Sequence, residues 1–180
     1  MDAVTKKQLQ IKACTVRMGV IEGVFNAKSG HPGGSLSVAD ILTYLYFDHM
    51  NVDPKNPKDE NRDRFVLSKG HTAPALYAVL ANKGFFPVSE IKNLRKPGAM
   101  LQGHPSMNRT PGVDMSTGSL GQGISTAVGM ALLAMDMSGK GRVFKPGEGL
   151  VEDSVEETIE SVGRMGREGM KSTDVEILKI

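Results

Sequence analysis

Three histidines in this chain each follow a glycine, at Gly30-His31, Gly70-His71 and Gly103-His104. Imidazole titrates near neutrality, so such groups can move protons or hydrogen-bond an anionic or polyhydroxyl ligand. They could also ligate a metal. Against that, the intervals from His31 to His71 to His104 match no short metal motif, and the sequence has no HxH or HxxxH pair. A third reading has them only hydrogen-bonding loop backbone. The stretch Lys28-Ser29-Gly30-His31-Pro32-Gly33-Gly34 is the most marked of the three settings. Glycines and a proline there predict a tight corner whose bare backbone lets a ligand come close. No GxSxG, P-loop, complete GxGxxG or CxxC is present, so no nucleophile is assigned.

These histidines need elements to hold them. Residues 3–27 read as a helix, with Ile11, Cys14, Met18, Ile21 and Phe25 at spacings of three and four, and Val16, Val20 and Val24 widening the stripe. The expectation is burial of that face, with Gly19 and Gly23 allowing a close helix contact. Ser37 offers an N-cap, with Asp40 three residues on, for a helix ending near Met50. His49 at its end suits the helix dipole and reads as structural. Residues 51–63 read as a surface loop, and Arg64-Phe65-Val66-Leu67 as a short strand. A helix from Ala73 to Asn82 follows, with Pro74 in its first turn and Gly84 as its stop. His71 then lies between a strand's end and a helix's start, the usual ligand position in open α/β sheets. Ser89 caps a short helix, residues 96–113 form a long loop carrying His104, and a helix runs from about Gly121 to Met137. Arg142-Val143-Phe144 could begin a second strand. Residues 151–163 show helical spacing, and a short helix starts at Thr173.

Net charge is +2, and tryptophan is absent, so neither a nucleic acid nor a membrane surface is an expected partner. The longest apolar run, 41–47, is too short to span a bilayer. The lone cysteine, Cys14, excludes an internal disulfide framework and reads as a buried small apolar residue. With Lys6, Lys7 and Lys12 interrupting any leader-like segment, the expected location is cytoplasmic.

Four ordered motifs together resemble the N-terminal, pyrophosphate-binding half of transketolase. They are Ser29-Gly30-His31-Pro32-Gly33-Gly34-Ser35, Asp63-Arg64-Phe65-Val66-Leu67-Ser68-Lys69-Gly70-His71, Gly103-His104-Pro105 and Ser116-Thr117-Gly118-Ser119-Leu120-Gly121-Gln122-Gly123. The resemblance implies a transketolase-type, thiamine diphosphate-binding fold of the three-layer α/β/α family. Here it is expected as an incomplete domain over residues 1–144, mostly helical with one or two short strands, followed by a divergent helical tail over 145–180. It implies transfer of a two-carbon ketol unit between sugar phosphates, with a C-terminal transketolase subunit completing a homo- or hetero-oligomer. By motif position, His31 and His104 resemble the catalytic histidines. His71 resembles a contact near the diphosphate, and Gly118, Ser119 and Leu120 the segment that holds the aminopyrimidine.

The family also implies Mg2+ or Ca2+, held by a Gly-Asp-Gly turn and a following asparagine. This chain has no Gly-Asp-Gly; Gly147-Glu148-Gly149 is a faint echo. Two alternatives therefore stand beside the enzyme: a family fragment that associates without binding cofactor, and a relative of deoxyxylulose-phosphate synthase.

Overall fold

The structure, a computed structural model, describes residues 1–137. The sequence expectations for 142–144, 151–163 and the Thr173 helix lie outside the described residues.

Helix α1 spans Ala3–Ala27. The Asp2 carboxylate starts it by accepting from the Val4 and Thr5 amides at 2.9 and 2.8 Å, which holds that carboxyl below its ordinary pKa. Lys28, left-handed at φ 52°, ends it. The buried face is only part of the expected one. Ala13, Val16, Gly19, Val20 and Gly23 are buried, whereas Ile11, Met18, Ile21 and Phe25 are half exposed or more and Cys14 is exposed. Two apolar stripes run along this helix, and the slimmer one wins because it can approach α3 (Ala73–Lys83) closely. A Cβ at Gly19 would sit 3.0 Å from the Ala78 Cβ and 3.2 Å from the Ile91 side chain. One at Gly23 would meet Ile91 at 3.3 Å and Leu94 at 3.4 Å.

Helix α2 spans Pro32–Tyr44 and continues as a π turn over Leu45–His49. It begins earlier than the Ser37 cap predicts. Pro32 takes the first helical position, where a missing N–H costs nothing, and the Ser35 hydroxyl donates back to the His31 carbonyl at 2.8 Å. Asp40, freed from any capping role, pairs with Arg17 of α1 at 3.0 Å. Val38, Leu42 and Leu45 are buried, and the His49 ring stacks on Tyr44.

Helix α3 is the centre of the layer. Every residue from Ala73 to Ala81 is buried, and Gly84 at φ 107° stops the helix. The expected strand at 64–67 is not one: Phe65, Val66 and Leu67 are buried, but only Val66 has a bridge, and no strand occurs among the described residues. The Phe65 amide donates to the Asp114 carboxylate at 2.7 Å rather than to a neighbouring backbone. A six-residue 3-10 turn, Val88–Asn93, replaces the Ser89-capped helix, with Ile91 filling the gap above Gly19 and Gly23. Helix α4 spans Gly123–Met137.

The tight α1–α3 contact makes a prediction. Gly19→Leu forces side-chain volume into a contact already closed, and is expected to destabilise by about 1–3 kcal/mol. Met18→Ser, on the exposed face, is expected to change stability by less than about 0.5 kcal/mol. Urea unfolding of both variants checks this; equal midpoints would show that the buried face is misassigned.

Candidate active site

Four chain segments converge at one end of the helical layer. The first is the start of α2. His31 is its N-cap residue, exposed at the surface, and Gly30 before it takes φ 141° against Val24. The second is the 3-10 turn Gly70–Thr72, which runs directly into α3 and carries His71. The third is the loop with His104, and the fourth the 116–123 segment before α4.

Glycines let these segments touch. A Cβ at Gly34 would lie 2.8 Å from the Thr72 methyl, so α2 seats on the His71 turn. A Cβ at Gly70 would meet backbone of Thr117 and Gly118 at 2.9 Å, and backbone cannot move aside as a side chain can. A Cβ at Gly123 would lie 2.7 Å from the Ser68 Cα, which docks α4 on the residues before His71.

The three imidazoles form a row. His31 and His71 have ring centroids 4.8 Å apart, and so have His71 and His104, each pair edge-on at 67° and 83°. His49 stays apart, on its tyrosine. Gly118 lies beside the His104 ring, its Cβ position 3.6 Å from Cγ. Ser119 and Leu120 follow in the turn before α4 and are exposed. The sequence motifs thus bring His31, His71, His104 and Gly118 together, with Ser119 and Leu120 at the edge.

Residues missed in the sequence hold this row in place. The buried Tyr77 of α3 places its hydroxyl 3.0 Å from the Gln102 carbonyl and 2.9 Å from that of His104, donating its proton between them. Burial pushes the phenol's pKa up, so it remains a donor. A buried tyrosine in an aliphatic helix signals such a partner, because its hydroxyl needs one. Arg62 forms an ion pair and hydrogen bond with Asp114, whose side chain is 5% exposed, and this ties the far end of the His104 loop to residues 62–65. Arg95, left-handed at φ 62°, donates to the Ser29 hydroxyl.

Burial lowers the His104 pKa, and neighbouring His71, Arg95 and His31 lower it further. The sign follows. An unfolded imidazole binds protons near pH 6.5 and below, where folded His104 still resists, so stability rises with pH across that window and levels off above it. Chemical unfolding between pH 5 and pH 7.5 is expected to show this slope, and His104→Gln to reduce it. An unchanged slope would remove His104 as its source.

Several buried polar atoms facing this region lack a hydrogen-bond partner among the described residues: Ser68 Oγ, His71 Nδ1, His104 Nε2 and Thr117 Oγ1. Native interiors rarely leave such groups unpaired. Two of the four are imidazole nitrogens of the row, and the other two belong to Ser68 and Thr117, which press on Gly123 and Gly70. The four do not fit a metal: among the described residues no group of three or more His, Cys, Asp or Glu side chains is placed to hold one. Also among them, no helix is long and apolar enough to cross a membrane.

Fold and site together define a helical layer with a loop-built end at which three imidazoles meet. Residues 8–165 match the family described as transketolase, thiamine diphosphate binding domain. The chain is 54% identical over 124 residues to the 6-deoxy-6-sulfo-D-fructose transketolase subunit SqwG of Clostridium sp. (strain MSTE9), covering 69% of this chain and 45% of that one. It is 46% identical over 126 residues to an apulose-4-phosphate transketolase subunit from Phocaeicola vulgatus, covering 70% of this chain and 44% of that one. Pichia stipitis transketolase, solved with sedoheptulose 7-phosphate, superposes with a TM-score of 0.70 at 39% identity, over 73% of this chain and 19% of that one. The chain belongs to the transketolase family, in its N-terminal, thiamine diphosphate-binding part. The matched stretch spans less than half the length of those two subunit relatives.

Proposed function

We propose that this chain works as the N-terminal subunit of a split transketolase, in the cytoplasm, moving a two-carbon ketol unit between sugar phosphates or similarly anionic sugars. The row of His31, His71 and His104 beside Gly118 carries this reading, because the chemistry needs several proton transfers at one polar, hydroxyl-rich centre. His71 with Gly118, Ser119 and Leu120 would hold thiamine diphosphate. Thiamine diphosphate, when bound, supplies the carbanion chemistry that breaks and makes the carbon–carbon bond. His104, kept neutral by its surroundings, can accept a proton from a substrate hydroxyl. His31, exposed at the outer end of the row, is the one a sugar reaches first. A C-terminal transketolase subunit completes the site in a homo- or hetero-oligomer. Its relatives support that division, since two of them are named as transketolase subunits.

The described residues supply no ligand set for the Mg2+ or Ca2+ that would neutralise a diphosphate. The test is therefore calorimetric titration of thiamine diphosphate, with and without Mg2+, into this chain alone and with a C-terminal subunit. Micromolar binding in any of these, with a matching rise in melting temperature, supports the reading. No binding in all of them overturns it and leaves a family member that associates without cofactor. Product formation from pyruvate and glyceraldehyde phosphate would instead favour the deoxyxylulose-phosphate synthase chemistry.

A further inference from the structure

Arg95 holds a backbone conformation that arginine rarely adopts. At φ 62° it is left-handed, a region that favours glycine and asparagine. Its amide donates to the Leu101 carbonyl at 2.8 Å, which closes the 95–101 loop on itself. Such strain persists where the surroundings over-determine it, and glycine would satisfy the backbone alone. The side chain must then account for the arginine.

Its guanidinium reaches in two directions. One terminal nitrogen donates to Ser29 Oγ, two residues before His31. The rest of the fork lies against Gly103, one residue before His104: a Cβ there would sit 2.9 Å from Nε and 2.9 Å from Nη2. Residue 103 is thus bare where the fork crosses it. Ser29 and Gly103 lie on separate loops, one leading into α2 and one pinned to α3 through Tyr77. Arg95 is the side chain that spans both.

We propose that Arg95 is a positioning residue of the proposed transferase site, clamping the His31 loop to the His104 loop so that the two imidazoles keep their spacing across His71. The role rests on the transferase reading for its purpose and on this geometry for its existence. Lysine cannot replace it, because an ammonium has no planar fork to cover Gly103 while donating to Ser29. The same fork puts a fixed cation near His104. The other groups acting on that imidazole are His71 of the 3-10 turn and His31 at the start of α2.

The test uses Arg95→Gly and Arg95→Lys in the whole chain. Glycine suits φ 62°, so the melting temperature of Arg95→Gly is expected to stay within about 3 °C of the parent. Imidazole titration by NMR reads the clamp directly. In Arg95→Gly the His104 midpoint is expected to move up, as the cation is gone, and the His31 resonances to shift with it. Ser29→Ala, which cuts the clamp from the other side on an exposed residue, is expected to shift His31 while leaving the His104 cation in place. With a C-terminal subunit, both Arg95 variants are expected to lose turnover by roughly a hundredfold with thiamine diphosphate affinity retained. An unmoved His104 midpoint and unshifted His31 in Arg95→Gly would overturn the proposal, as would parental turnover in both Arg95 variants. If the parent itself shows no ketol transfer, the transferase reading falls, and the NMR titration decides the clamp on its own.

Discussion

His31→Ala is expected to lower ketol transfer by about 10²–10⁴-fold in the chain assembled with a C-terminal transketolase subunit, with the melting temperature unchanged. The two halves of that result have separate causes. His31 is exposed, caps α2 through its backbone rather than its side chain, and leaves no cavity when shortened. The helix start depends on Pro32 and on the Ser35 hydroxyl meeting the His31 carbonyl, and both survive the substitution. What is lost is the outermost imidazole of the row, 4.8 Å from His71. Steady-state rates with a ketose donor and an aldose acceptor, together with a thermal melt, check both halves. Parental turnover would remove His31 from the chemistry; a collapsed melt would make it structural.

The largest stability effect is expected at Asp114. Its carboxylate is almost wholly buried, pairs with Arg62 and accepts from the Phe65 amide at 2.7 Å. Asp114→Ala leaves a half-buried guanidinium without its counter-charge and a buried amide without an acceptor. Breaking a buried pair from one side costs about 3–5 kcal/mol, a large part of a domain's whole stability, and should lower the melting temperature by roughly 10 °C. Replacing both partners at once, as Arg62→Met with Asp114→Leu, is expected to recover part of that loss, since no charge is then left buried. A single-variant change below about 3 °C would show that water reaches the pair and that the loop is held elsewhere.

The site was more legible in the sequence than the core that carries it. Glycine before His31, His71 and His104, and the order of the motifs, mark residues that the fold does bring together, although those glycines are bare where Val24, the Thr117–Gly118 backbone and Arg95 press on them. The α1 expectation held for Val16, Val20 and the close contact at Gly19 and Gly23, and failed for the larger side chains. Ile11, Met18, Ile21 and Phe25 form the larger apolar stripe, and periodicity alone favours size. The fold favours closeness instead, choosing the face where Gly19 and Gly23 let α3 approach. Phe65, Val66 and Leu67 read as a strand because they are apolar, β-prone and buried. Burial they have, but the partner of the Phe65 amide is a carboxylate 49 residues later in the chain, and no local pattern announces that. Arg95 and Tyr77 were invisible for the same reason: what each does depends on a loop distant in sequence.

Helix α3 is buried on every side from Ala73 to Ala81, and the turn carrying His71 runs straight into it. Amide protons so placed exchange with solvent mainly when the whole layer opens, on the slow scale of global unfolding. The three imidazoles therefore keep different clocks. His71 is fixed for as long as the layer stays closed. His104 is tethered to that same helix through the Tyr77 phenol, with Asp114 and Arg95 holding its loop from either side. His31 sits at the exposed start of α2, where fraying costs less than opening the layer, and the Arg95–Ser29 hydrogen bond limits how far it strays. The row therefore loosens from its outer end inward, His31 before His71.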